Sequence, residues 1–168
     1  MREYILAFSL NYDILSCKKR VIKGDFRLNT LKKRVLKAFS LTEDFYSHVN
    51  DDNLRLKISN VPSNLIGKQA YCIIGARESY LKAFNVGEWS GFECSLIDTN
   101  NKSLIIKKLK EAYSNIEVFL ENSSTDQVDI NLLIDLLEHE IQHHGQLIRV
   151  AYANRIKFPE SWKVRYTV

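Results

Sequence analysis

Four stretches of this chain repeat apolar residues at steps of three and four, a period that commits most of its length to amphipathic α-helix. In TLKKRVLKAFSLTEDFYSHVN, the residues Leu31, Val35, Leu36, Phe39, Phe45 and Val49 fall along one stripe, with lysines opposite. In VPSNLIGKQAYCIIGARESYLKAF, which follows a turn at Pro62-Ser63-Asn64, Leu65, Gln69, Cys72, Ala76, Tyr80 and Ala83 share the inward side. SLIIKKLKEAYSNIEVFL repeats Ile105, Leu109, Ala112, Ile116 and Phe119. DINLLIDLLEHEIQHHGQLIRVAYANR repeats Leu132, Leu136, His139, His143, Leu147 and Val150. Helices are predicted near residues 28–50, 62–85, 102–122 and 128–156.

The connections suit a bundle. Residues 85–101, with Gly87 and Gly91, read as a longer loop, and NSSTDQ as a short polar one. Asp126 or Asp129 is placed to cap the fourth helix. The ending KFPESWKVRYTV starts at a helix-stopping Pro159 and then alternates, which predicts an extended tail over the bundle. Six Gly and two Pro in 168 residues argue against an all-β architecture with many tight turns. The expected fold is all-α, an antiparallel four-helix bundle over residues 28–168 preceded by an N-terminal extension, residues 1–27. The first 20 residues fit either an added helix or an extended strap.

Charge is unevenly distributed. Residues 1–40 hold ten Lys/Arg against Glu3, Asp13 and Asp25, or +7, so a net charge of +4 leaves −3 for the remainder. A basic third of this kind suits either a solvated helix face or an acidic partner; no nucleic-acid motif accompanies it, and nucleic acid is not expected. Three Cys without a C-x-x-C pair fit a reducing compartment. The basic cluster Lys18-Lys19-Arg20 follows rather than precedes the short apolar N-terminal run, unlike a signal peptide. No stretch reaches the ~18 apolar residues of a membrane span. A cytoplasmic protein with no membrane partner is expected.

The fourth helix carries LLEHEIQHHGQL, which contains H-E-x-x-H. Two histidines four apart lie on one helix face, so His139 and His143 can reach one metal ion, while His144 points about a third of a turn away, to the surface or to a place beside the metal and its ligands. A zinc peptidase would use Glu140 as general base on a zinc-bound water. Its extended motif fails, because Gly145 is one position early and Arg149 stands where the third His belongs. The other readings are a bundle metal site completed from a second helix, and a pair of hydrogen-bonded core histidines. Gly145 in mid-helix suggests a close helix approach or room beside the site. Gly75, Ala76 and Ser79 would let a facing helix come near, and Arg77 and Glu78 read as a surface pair.

His139, His143, Gly145 and Gln146 together resemble the signature of the DinB-like family of four-helix bundles, with His144 where that family often has Arg. QAYCIIGARESYLKA resembles the family's second helix, and FPESWKVRY its tail; the resemblance covers about residues 29–168. It implies a metal-dependent enzyme, a thiol S-transferase or hydrolase acting on a small molecule. It implies a divalent metal (Zn or Ni, or Fe) and a low-molecular-weight thiol as cofactors, and a homodimer. At the second-helix position where the family places a ligand His, this chain has Cys72, making Cys72, His139 and His143 the candidate ligands and Gln146 a substrate-pocket residue. His48 is a remote substitute ligand at the end of its helix. Cysteine is a competent zinc ligand, and equally a common small buried residue. The alternative is therefore a non-catalytic bundle that has lost its metal and serves as a binding or dimerisation module.

Overall fold

The protein is described by a computed structural model over residues 27–124 and 126–168. The N-terminal extension with Lys18, Lys19 and Arg20 lies almost wholly outside the described residues. Helix α1 covers residues 27–48, and a single 3-10 turn, Asp52–Arg55, follows it. Then come α2 (Ile66–Val86), α3 (Lys102–Asn122), α4 (Ile130–Ala153) and α5 (Glu160–Tyr166). Among the described residues there is no strand, and no helix is long and apolar enough to cross a membrane.

The helix ends carry the residues that backbone chemistry requires. Of the two candidate caps, Asp129 serves α4, its carboxylate accepting from the N–H groups of Asn131 and Leu132. Asn101 caps α3 through the N–H of Leu104. Gly87, at φ +88°, closes α2 in the left-handed region and donates its N–H to the Ala83 carbonyl.

Two apolar clusters fill the bundle, and their membership gives the direction of each helix. One gathers Leu41, Phe45, Ile66, Ile73, Leu109, Leu147 and Trp162. The other gathers Val35, Phe39, Phe84, Ile116, Leu120 and Leu136. Along α1 and α4 the chain passes from the second cluster to the first; along α2 and α3 it passes from the first to the second. Thus α1/α2 and α3/α4 are antiparallel, as expected, but α2 and α3 run the same way. The expectation of a wholly antiparallel bundle is corrected on this point, because residues 87–101 form a crossover rather than a hairpin.

That crossover runs back along α2, and glycines make room for it. A Cβ on Gly67 would lie 1.9 Å from the Thr99 carbonyl oxygen, and one on Gly75 would lie 2.2 Å from the Phe92 ring. Gly75 therefore admits a loop, not the facing helix that its neighbourhood suggested. Ser79 Oγ accepts from the Glu93 N–H at 2.9 Å, and Glu78 accepts from the Ser95 N–H at 2.7 Å, so the crossover is stitched to α2 along its length.

The tail also departs from expectation. It is not extended: Pro159 stands at the N-cap of α5, where a missing N–H costs nothing and the fixed φ suits helix entry. Trp162 is fully buried against Phe45 and donates its indole N–H to the Leu41 carbonyl at 2.6 Å.

Candidate functional site

On α4 the inward face is wider than the expected stripe: Leu136, His143, Leu147 and Val150 are buried as expected, Leu133, Glu140 and His144 join them, and Leu132 and His139 lie at its half-buried edge. Glu140 and His144 are fully buried, His143 is buried, and His139 is half-buried. Positions 140 and 144 share a face by their four-residue spacing, and 139 and 143 share the next, about 100° around the helix. Consecutive residues of one H-E-x-x-H-H segment thereby enter two separate arrangements.

The first is a buried polar layer at the seam between the two apolar clusters. Arg77, fully buried on α2, is not a surface partner of Glu78. Its Nη2 lies 2.6 Å from Glu140 Oε1 and its Nε 3.3 Å from Oε2, a two-point ion pair. The remaining donors reach the carbonyls of Leu109 on α3, at 3.2 Å, and Phe39 on α1, at 3.5 Å. The guanidinium carbon sits 3.9 Å from the centroid of the Phe39 ring. One side chain thus ties α2 to the three other long helices. Burial by itself would raise the Glu140 carboxyl, but the charge and hydrogen bonds of Arg77, with help from His144 and Thr42, hold it below the usual carboxylate range.

Thr42 extends this layer. An ionised carboxylate only accepts, so the Thr42 hydroxyl donates to Glu140 Oε1 and accepts from His144 Nε2–H at 2.7 Å. His144 Nδ1 then presents a lone pair to the Tyr166 hydroxyl at 2.5 Å. This ordering needs a neutral imidazole. Burial pushes His144 down to about 4, with Arg77 and Arg165 adding to the effect and Glu140 opposing it. The expectation of His144 at the surface or beside a metal is corrected: it joins the bundle to its tail.

The second arrangement is the pair His139 and His143. Their ring centroids are 4.7 Å apart at an interplanar angle of 61°. Burial and the neighbouring His139 push His143 down to about 4, and burial lowers His139, so both rings are neutral near pH 7. Each Nδ1 is buried without a hydrogen-bond partner among the described residues. Buried polar nitrogens are ordinarily satisfied, and a neutral imidazole nitrogen is a competent ligand for a divalent ion.

Cys72 does not join them. It is half-buried on α2, and burial pushes its thiol up, with Lys68 partly opposing. Among the described residues no three His, Cys, Asp or Glu side chains are grouped to hold a metal ion. His48 is exposed at the far end of α1. Gln146 lines a cleft of about 600 Å³ together with Gln69 and Arg149, and the buried Gln69 Oε1 in that cleft has no hydrogen-bond partner among the described residues. Gly145 faces open space, and a Cβ at that position would meet nothing within 4 Å, so room rather than a close helix explains its position.

Sequence pattern alone could not have found Arg77 and Glu140 as partners, since 63 residues separate them. The only available signal was an arginine amid small and apolar residues on a helix with little polar face. Compared with protein-family models, curated proteins and solved structures, the chain finds no match.

Proposed function

We propose that this chain is a DinB-like bundle that binds a divalent cation through His139 and His143 and takes a small molecule in the cleft at Gln146. The observation that carries the reading is the pair of neighbouring neutral imidazoles whose buried Nδ1 atoms lack partners among the described residues. The donor set fits a divalent ion as two ligands; Cys72 does not supply a third, so the remaining positions fall to water or substrate. Gln146 lies three residues beyond His143, about 4.5 Å along the axis, and is the residue of the cleft that comes nearest to the pair in the chain; neither histidine lines the cleft itself.

A metal held there would acidify a bound thiol or water, the chemistry of a thiol S-transferase or hydrolase. The chain's own contribution is then to keep both imidazoles unprotonated and to hold their face rigid through the Arg77–Glu140 tie. Peptidase chemistry is disfavoured on one observation: both Glu140 oxygens are engaged by Arg77, and Thr42 shares Oε1, with no solvent exposure. A general base for a zinc-bound water needs a free carboxylate edge. A second reading, a non-catalytic binding or dimerisation module, is favoured by the lack of a third protein donor among the described residues.

Calorimetric titration of untagged protein with Zn²⁺ and Ni²⁺ separates these. The proposal expects one site, weakened at least about tenfold by His143→Ala or His139→Ala and unchanged by His48→Ala. Equal affinity of wild type and His143→Ala would leave the module reading standing.

A further inference from the structure

An open groove of about 860 Å³ lies between α1 and α4 and is unrelated to the histidine pair. Leu137 and Ile141, which line it, are on the opposite side of α4 from His139 and His143, since two residues turn a helix by about 200°. Its floor is apolar: Ala38 and Leu41 from α1, Leu137 and Ile141 from α4. Its rim carries Lys33, Arg34 and Lys37 on α1 and Arg165 on α5, against a single acid, Glu138.

Of these cations, Arg165 leans on the fold, its guanidinium carbon 5.6 Å from the centroid of the Tyr166 ring. None of these four cations makes an ion pair among the described residues, although exposed pairs elsewhere do form, such as Lys82 with Glu93. Lys33 and Lys37 are four apart on one helix face, a like-charge spacing that destabilises an isolated helix by a few tenths of a kcal/mol. Gathering three such cations on two turns and bringing a fourth from the tail raises the local positive potential, which an anion would relieve. The apolar floor between them would bury a hydrocarbon chain.

We propose that this groove binds an anionic amphiphile, a fatty acid whose carboxylate lies among Lys33, Arg34, Lys37 and Arg165 and whose alkyl chain lies on Ala38, Leu41, Leu137 and Ile141. The volume belongs to the range of roughly 300–1,000 Å³ typical of small-ligand pockets. An acidic amphipathic helix would need apolar anchors over several turns of groove, more than a floor of four side chains provides. Because the groove and the histidine pair lie on different sides of α4, occupation of one does not require the other.

Calorimetry on the full chain with dodecanoate, butyrate and dodecyltrimethylammonium tests this. Dodecanoate should bind one-to-one, at least about tenfold more tightly than either the short acid or the cationic chain. The double variant Lys33→Glu/Lys37→Glu, altered only at exposed positions, should lose that preference by about tenfold or more; Ile141→Lys should weaken dodecanoate through the floor. No dodecanoate binding, equal binding of the two long chains, butyrate matching dodecanoate, or indifference to charge reversal would each overturn the proposal. So would sedimentation with anionic phospholipid vesicles in the absence of a one-to-one dodecanoate complex, which would make the face a membrane contact instead.

Discussion

Arg77 and Glu140 meet at 2.6 Å with neither side chain exposed, and their pair lies where the two apolar clusters of the bundle adjoin. A buried pair of this kind gains little over a well-packed apolar replacement, but it penalises any change that removes one partner. It also fixes alignment, because the Arg77 guanidinium fits only when the carbonyls of Phe39 and Leu109 and the carboxylate of Glu140 are at one level.

Removing one charge should therefore be far worse than removing both. Arg77→Met or Glu140→Leu should each cost about 3–5 kcal/mol, by leaving an uncompensated buried charge. The double variant should recover a large part of that loss. Urea unfolding of the four proteins measures it, and additive single-variant losses would contradict a coupled pair.

Metal-free protein should lose stability in weak acid. His143 and His144 titrate near 4 in the folded chain against 6.5 for the free side chain. Between those values the unfolded chain takes up protons that the native state refuses, so stability falls as pH drops from 6.5 toward about 4. The Glu140 carboxyl, held below its usual range by Arg77, has the same sign and extends the loss to lower pH. A urea midpoint that stays level from neutral pH to about pH 4 would contradict this.

The three glycines of α2 and α4 should respond in opposite ways to Ala. Gly145 faces open space in mid-helix, so Gly145→Ala should stabilise by up to about 1 kcal/mol. At Gly67 the added Cβ would meet a backbone carbonyl at 1.9 Å, and at Gly75 the Phe92 ring at 2.2 Å, so both substitutions should destabilise. Gly67→Ala should be the worse, since a backbone carbonyl yields less readily than a ring. Thermal midpoints rank the three.

Tyr166→Phe should loosen the tail. It deletes the hydroxyl that meets His144 Nδ1 at 2.5 Å and leaves a buried acceptor without its donor, a loss of about 1–3 kcal/mol. Trp162, which contacts both rings, reports the change: its emission should shift red as the tail releases. An unchanged spectrum and unchanged stability would remove His144 from its place as the link between bundle and tail.

The four long helices were legible in the chain, because apolar periodicity and end signals such as Asp129 and Gly87 act over a few residues. So was the shared face of His139 and His143, a consequence of four-residue spacing alone. How wide the inward face of α4 becomes was a matter for long-range packing. The expected stripe kept Leu136, His143, Leu147 and Val150 inside, but the burial of Glu140 and His144 beside it depends on Arg77 and Thr42, which no local pattern connects to them. The direction of α3 was likewise open, since a loop of this length can cross or return and the choice rests on its packing over Gly67 and Gly75. Cys72 shows the same division: its helix could be read from periodicity, but whether it groups with the two histidines was a matter of how the helices pack, and among the described residues it does not.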